Sequence, residues 1–165
     1  MSATPKSDFR AILRTLVTHR VEFVVVGGIS AVLQGAPLTT FDLDVVHSRS
    51  AANVNRLLPA LEELDAVYRS HPGSILRPGA THLASPGHQL LITKYGPLDV
   101  LGAIGDSRSY EDLMSDAVSV EVDEGLSVPV LGLEALIRTK EEAGRPQDLA
   151  ALPVLRKTLK QLRRP

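Results

Sequence analysis

The sequence has 165 residues, of which 44% are hydrophobic, 22% are charged and 4% are aromatic, and its formal net charge is −1. This composition predicts a folded globular chain, because disordered chains combine low hydrophobicity with high net charge. The absence of cysteine excludes a disulfide framework, a thiolate zinc site and a cysteine nucleophile. No stretch approaches the roughly 18 apolar residues of a membrane span, and the N-terminus has no apolar signal-peptide core. We therefore expect a cytoplasmic protein without a membrane partner.

Helices and strands alternate in the first half of the chain. The pattern predicts, in chain order, a helix (7–20), a strand (21–26), a short helix (29–34), a strand (41–46) and a helix (51–66). Ser7 is the expected N-cap of the first helix, and Gly35 is expected to close the short one. Pro59 is expected to kink or split the helix at 51–66.

A loop, two strand pairs and two helices follow. The segment 71–87 holds three prolines and three glycines, which predicts a long loop or a poorly formed hairpin. Four strands are then predicted, as a hairpin (89–93 and 98–101) and a further pair (118–122 and 128–131). Apolar residues at helical spacing predict a helix from Leu133 to Gly144 and a second from Pro146, with Pro153 starting its last segment.

This order predicts an α+β fold. A small mixed β-sheet with packed helices is expected over residues 1–131, followed by a short C-terminal helical subdomain over 132–165 that packs on it. Residues 156–165 carry five basic side chains and no acidic one, which leaves the rest of the chain with a net charge of −6. We expect this basic tail to be a solvated helix face, with contact to an RNA backbone as the alternative.

Carboxylates and glycines suggest a phosphate-transfer site. Asp42 and Asp44 stand two apart on a predicted strand, so their side chains point to the same face, and hard oxygen ligands of this kind suit Mg²⁺. Gly27-Gly28 ends a strand and precedes a helix, where backbone N–H groups can approach a phosphate. Asp99, in the apolar context PLDVL, would complete a triad for two metal ions if its strand lay beside that of Asp42.

Each of these motifs also has a purely structural interpretation. A Gly-Gly pair after a strand can be a turn, an Asp-x-Asp pair can be solvated or cap a helix, and Asp99 can pair with an arginine. Lys140 can be an ordinary surface lysine, and Asp148 can complement a helix dipole. His71, His82 and His88 lack the spacing of a zinc site.

Four segments together resemble a known superfamily. They are GGIS, LTTFDLD, YGPLDVL and LEALIRTKEEAGRPQDLAAL, and they span about residues 20–155. Their order resembles that of the DNA polymerase beta-type nucleotidyltransferases, and it is most similar to small nucleotidyltransferases related to the AbiEii-type toxins of toxin–antitoxin systems.

The resemblance implies a magnesium-dependent enzyme that moves a nucleoside monophosphate from an NTP to an acceptor hydroxyl on tRNA or protein, with a cognate antitoxin as partner. It implies that Gly27, Gly28 and Ser30 bind the nucleotide phosphates. The residues that it implies for the metal and for catalysis, with Lys140 also contacting phosphates, are Asp42, Asp44, Asp99, Lys140 and Asp148.

Two positions depart from the family pattern. Leu38 stands where a basic residue is usual, and Gln147 stands where lysine is common. They leave open a catalytically degenerate nucleotide-binding or interaction module. A third alternative is a nucleotidyltransferase that modifies small molecules such as antibiotics.

Overall fold

Seven helices and seven strands make up the described part of the chain, residues 7–70 and 75–164 of a computed structural model. The helices are α1 (Phe9–Thr18), α2 (Gly27–Leu33), α3 (Ala51–Glu63), α4 (Ala80–Ala84), α5 (Tyr110–Met114), α6 (Leu133–Ala143) and α7 (Pro146–Leu162). The strands are β1 (Phe23–Val26), β2 (Leu43–His47), β3 (Val67–Tyr68), β4 (His88–Thr93), β5 (Gly96–Leu101), β6 (Ala117–Asp123) and β7 (Leu126–Leu131).

All seven strands join one mixed sheet in the order β3-β4-β5-β2-β1-β7-β6. β2 runs parallel to β5, and β1 runs parallel to β7, while every other neighbouring pair is antiparallel. The two parallel pairs bring together strands that are distant in sequence. The strands β3 and β4 extend the sheet at one edge, and β6 extends it at the other. This arrangement confirms the predicted α+β class.

Each face of the sheet has its own hydrophobic core. Leu43 and Val45 of β2 point to the first face, where they join buried residues of α1 and α3. Val46 points to the second face, whose core includes Leu136 of α6 and Leu155 of α7. The alternation follows from the two-residue period of a strand. The two C-terminal helices thus share a core with the sheet, and the boundary between 131 and 132 stays a prediction.

Local corrections concern the ends of helices and two prolines. Helix α1 is capped by Asp8 rather than Ser7, since the Asp8 carboxylate accepts from the Ala11 N–H at 3.1 Å. Pro59 and Pro153 both lie inside continuous helices, and neither divides its helix. Each of these helices buries an apolar face on both sides of its proline, which holds the turns together despite one missing N–H donor.

Two short helices were not predicted. Helix α5 begins at a capping box in which the Ser109 hydroxyl accepts from the Asp112 N–H and the Asp112 carboxylate accepts from the Ser109 N–H. Helix α4 lies inside the predicted loop at 71–87, of which 71–74 fall outside the described residues. Among the described helices, none combines the length and the apolar character needed to cross a bilayer.

Candidate functional site

Two carboxylates face each other across the middle of the sheet. Asp44 of β2 and Asp99 of β5 are register partners on adjacent parallel strands. The same row continues to Val26 of β1 on one side and to Leu90 of β4 on the other. Side chains of register partners lie on the same face, so the two acids stand on the second face, beside the area that α6 covers.

The electrostatics of this pair are unfavourable without a cation. Burial, a hydrogen bond with Asp99 and the charges of the Asp99 and Asp42 carboxylates together raise the pKa of Asp44 to about 7, while the Arg69 guanidinium acts in the opposite direction. Among the described residues, neither Asp44 Oδ1 nor Asp99 Oδ1 has a hydrogen-bond partner. A buried acceptor without a donor is costly. Asp99 Oδ1 lies 2.8 Å from Arg69 Nη1, so Asp44 Oδ1 is the oxygen that a bound cation would satisfy.

Asp42 stands at the edge of this arrangement. It comes immediately before β2 and is partly exposed. Its charge raises the pKa of Asp44, but its side chain does not line the cavity into which Asp44 and Asp99 point. Within residues 7–70 and 75–164, no three His, Asp or Glu side chains form a group that could hold a metal ion by themselves.

At the end of β1 the main chain lies directly against the Asp44 carboxylate. Gly27 has φ +68°, and a Cβ at this position would collide with Asp44 Oδ2. Gly28 faces Thr40 instead, with a built Cβ 3.1 Å from the Thr40 hydroxyl. Ser30 is fully buried, and its hydroxyl donates to the Gly27 carbonyl at 2.6 Å. Of the three residues predicted near Gly27-Gly28 to bind phosphate, only Gly27 therefore lines the cavity, as does Lys140, the fourth predicted phosphate contact.

A cluster of opposite charges closes the other side of the site. The side chain of Asp148 is only 3% exposed and accepts from Arg145 Nε at 2.7 Å and from Lys140 Nζ at 3.4 Å. Hydrogen bonding to Arg145 lowers the pKa of Asp148, and the charge of Lys140 adds to this effect. Asp148 thus holds two cationic side chains next to the acid pair. Lys140 lies in the last turn of α6, and Arg145 is the N-cap residue of α7.

These groups meet at one cavity of about 320 Å³. Its lining includes five of the predicted site residues, namely Gly27, Asp44, Asp99, Lys140 and Asp148. Apolar side chains of Leu90, Leu101, Ile104 and Leu136 complete the wall together with His88. Three predicted site residues, Asp42, Gly28 and Ser30, lie outside this lining.

Sequence reasoning missed two charged residues at the site, namely Arg145, which lines the cavity, and Arg69, which contacts Asp99. Arg69 Nη1 lies 2.8 Å from Asp99 Oδ1 and donates to the Leu91 carbonyl at 2.7 Å. No motif marks Arg69, because its position beside Asp99 depends on the two-residue strand β3 pairing with β4. The sequence carries a signal only at Asp99, because an acid within an apolar strand requires a compensating charge.

The two departures from the expected family pattern lie away from the cavity. Leu38 packs partly against the core of the second face, and Gln147 is exposed at the start of α7. Neither lines the cavity. Positive charge is supplied there by Lys140 and Arg145, so a missing base at position 38 or 147 does not leave the site without cations.

The basic tail is partly neutralised by α6. Arg156 pairs with Glu141 at 3.0 Å, and Arg163 pairs with Glu134 at 2.8 Å. Two of its five basic side chains are therefore engaged within the described part of the protein. This pairing favours the solvated-face interpretation over contact with an RNA backbone.

The residues present fit a divalent cation. Mg²⁺ is usually held by one or two carboxylates together with water and substrate phosphates, rather than by a complete protein cage. Asp44 and Asp99 provide such a pair, in which Asp44 Oδ1 has no partner among the described residues, and Asp42 adds negative charge nearby. The same arrangement without a cation leaves Asp44 protonated near neutral pH.

Comparison with known proteins identifies the fold. No protein-family model matches the chain, and no curated protein matches it in sequence. Among solved structures, a Thermotoga maritima protein assigned as a nucleotidyltransferase is 22% identical, with a TM-score of 0.58 over 93% of this chain and 91% of that one. The lincosamide antibiotic adenylyltransferase LnuA, solved with lincomycin bound, is 14% identical, with a TM-score of 0.62 over 94% of this chain and 99% of that one.

A third similar structure also belongs to an antibiotic-modifying protein. ANT(2″)-Ia, solved in complex with adenylyl-2″-tobramycin, is 13% identical, with a TM-score of 0.60 over 92% of this chain and 87% of that one. At these identities the likeness concerns the fold alone. The chain therefore has a nucleotidyltransferase-like fold, as predicted, whereas the relation to AbiEii-type toxins stays a prediction.

Proposed function

We propose that the protein is a magnesium-dependent nucleotidyltransferase, which moves a nucleoside monophosphate from an NTP to an acceptor hydroxyl and releases pyrophosphate. The observation that carries the proposal is the register pairing of Asp44 with Asp99 at a cavity that Gly27 and Lys140 also line. The nucleotidyltransferase-like fold supports the same reaction class.

In this reaction the acceptor hydroxyl releases its proton to solvent, its oxygen forms a bond to the α-phosphorus, and the bond from that phosphorus to the pyrophosphate oxygen breaks. Bound Mg²⁺ would neutralise phosphate charge and lower the pKa of the attacking hydroxyl, with Asp44 and Asp99 as its protein ligands and Asp42 as a nearby charge. Lys140 would offset the negative charge of the triphosphate. Asp148 would hold Lys140 and Arg145 at the cavity, since it bonds both.

The similar structures favour one class of acceptor. A nucleotide would occupy most of the cavity of about 320 Å³, so an acceptor would lie at its rim, where Leu90 beside Asp99 is an apolar contact surface that is 44% exposed. The fold likeness to LnuA, solved with lincomycin, and to ANT(2″)-Ia, solved with adenylyl-2″-tobramycin, supports a small hydroxyl-bearing molecule as the acceptor. The resemblance implies tRNA or protein instead, with a toxin role and a cognate antitoxin, and a cytoplasmic location is expected from the composition alone.

A labelling experiment tests the reaction and the acceptor together. The purified protein is incubated with Mg²⁺, each α-labelled NTP in turn, and a cell extract, beside an Asp42→Asn/Asp44→Asn variant. Asp123→Asn is the matched control, because this carboxylate is 44% exposed on the edge strand β6, where it pairs with Arg14. Pyrophosphate release is followed in parallel.

We expect label in small molecules, RNA or protein with the wild type and with Asp123→Asn, and none with the double variant. The labelled fraction identifies the acceptor class. No label and no pyrophosphate with any NTP would favour the degenerate binding module. In that case a nucleotide would still bind, and binding would be measured by calorimetry.

A further inference from the structure

Arg69 reaches across a strand to contact one acid of the pair. It follows β3, and its backbone N–H donates to the Leu90 carbonyl at 3.1 Å. Leu90 is in turn the register partner of Asp99. The guanidinium spans this intermediate strand, so that Nη1 lies 2.8 Å from Asp99 Oδ1 and donates to the Leu91 carbonyl at 2.7 Å. The cation is thus tied to the main chain of β4 as well as to the carboxylate.

The contact is asymmetric between the two acids. Neither Asp44 Oδ1 nor Asp99 Oδ1 accepts a hydrogen bond among the described residues, but Asp99 Oδ1 has the Arg69 guanidinium as an ion-pair partner, whereas Asp44 Oδ1 has no such partner there. Both members of the ion pair are well covered, with side-chain exposures of 28% for Arg69 and 14% for Asp99. A buried guanidinium stays charged, so it is a fixed positive charge on the Asp99 side of the site.

The balance of charge then suits a single divalent ion. With every carboxylate ionised, the acids of the site (Asp42, Asp44, Asp99 and Asp148) contribute four negative charges, and its cationic side chains (Arg69, Lys140 and Arg145) contribute three positive ones. One divalent ion leaves this group with a net charge of +1, whereas two would leave it with +3. A second ion next to Asp99 would have to approach the guanidinium or displace it from both of its partners.

We propose that Arg69 takes the place of a second metal ion, so that the site binds one divalent cation, centred on Asp44, while the guanidinium supplies the positive charge at Asp99. This inference rests on the proposed function, because it concerns the same site. It replaces the two ions that the sequence suggested. Arg69 is then a positioning residue that fixes Asp99 and sets the ion count.

A purely structural role for Arg69 makes a different prediction. In that case the ion pair only fastens the short edge strand β3 to the sheet. Removing it would lower stability and leave the number of bound ions unchanged. Counting ions therefore separates the two interpretations.

The test counts Mn²⁺ bound to the nucleotide-free protein, by calorimetry and by electron paramagnetic resonance, which detects coupling between neighbouring Mn²⁺ ions. Working without nucleotide restricts the count to ligands that the chain itself provides. The variants are Arg69→Gln, which removes the charge, and Arg69→Lys, which keeps it. Arg77→Gln is the matched control, because Arg77 also joins a carboxylate, Asp65 at 2.6 Å, to a main-chain carbonyl, Ala66 at 3.3 Å.

We expect one ion in the wild type, in Arg69→Lys and in Arg77→Gln, and two coupled ions in Arg69→Gln, with the first bound about tenfold more tightly. Two ions in the wild type would overturn the inference and leave the proposed function standing, as would a folded Arg69→Gln protein that binds one. If Arg69→Gln fails to fold, Arg69→Met, which also removes the charge but keeps the aliphatic stem, takes its place with the same expected count. No ion in the wild type, together with no pyrophosphate release, would remove both proposals.

Discussion

The main chain at Gly27 lies so close to the Asp44 carboxylate that no Cβ fits between them. The end of β1 therefore forms a wall against which the central acid of the site rests. The same glycine has a positive φ, which few other residues adopt without strain. Two separate requirements, backbone conformation and close approach, thus meet at one position.

Gly27→Ala tests the close approach, with Gly125→Ala as its control. Gly125 has φ +71°, almost the same as the +68° of Gly27, but has open space where a Cβ would lie. We expect the control to lose about 1 kcal/mol of unfolding free energy and Gly27→Ala to lose ~3 kcal/mol, because the carboxylate must also move. Urea denaturation measures both. Equal losses would show that Asp44 yields freely.

The Asp44 carboxyl predicts an unusual pH dependence for the metal-free protein. Its pKa rises to about 7 on folding, so the folded state holds a proton that the unfolded state has released. The unfolding free energy should therefore fall as the pH rises from about 4 to about 7, and then level off. Asp44→Asn should remove this fall and stabilise the metal-free protein by about 2–4 kcal/mol at pH 8.

Thermal and urea unfolding of wild type and Asp44→Asn between pH 4 and pH 9 check this expectation. Saturating Mg²⁺ should reverse the difference at pH 8, because only the wild type binds the ion well and binding to the folded state stabilises it. Parallel stability curves for the two proteins without metal would contradict the pKa assigned to Asp44.

Asp148 should matter for both stability and nucleotide binding. Asp148→Asn keeps the shape but removes the charge that Arg145 and Lys140 contact, and we expect a loss of about 1–3 kcal/mol at pH 7 together with weaker NTP binding. Because hydrogen bonding lowers the pKa of Asp148, the stability that it contributes is full above about pH 4 and is lost as the pH falls through its folded pKa. The difference between the two proteins should therefore shrink in acid.

Asp116→Asn is the control for this prediction. Asp116 also pairs with an arginine, Arg138 at 3.4 Å, but it is 46% exposed. A surface pair of this kind contributes about 0–1 kcal/mol, and NTP binding should be unaffected. If both variants behave alike, burial of Asp148 has no special consequence for the site.

Leu38→Arg tests whether the departure from the family pattern limits binding. Since Leu38 packs partly against the core of the second face and does not line the cavity, we expect unchanged NTP affinity and a loss of about 1–2 kcal/mol of unfolding free energy. Leu149→Arg, at a leucine that is 50% exposed, should change neither quantity. Tighter triphosphate binding by Leu38→Arg would support the degenerate-module alternative.

The sequence predicted the strands that bear the acids, because apolar β-branched runs and alternation are local signals. It also suggested that Asp99 lies beside the Asp42 strand. The register could not be read, since β2 and β5 are separated by about fifty residues and their pairing depends on the whole sheet. Asp44, rather than Asp42, is the residue directly opposite Asp99.

Other misses had simpler causes. The capping box at Ser109 and Asp112 is a local sequence signal that indicates the start of α5. Ser30 was predicted to bind phosphate because it follows the Gly-Gly pair. In the helix its hydroxyl donates instead to the Gly27 carbonyl three residues earlier, and the sequence alone does not show this bond. Arg69 could not be found locally, because nothing near it in sequence shows which strand it will cross.

Because side chains alternate between the two faces along β5, the hydrophobic core fixes the alignment of Asp99 with Asp44. Leu98 and Val100, on either side of Asp99, are fully buried on the opposite face. If β5 slipped by one residue against β2, these two side chains would turn toward the cavity and the carboxylate would enter the core. A misaligned β5 would therefore destabilise the fold itself. A stably folded chain thus has Asp44 and Asp99 side by side.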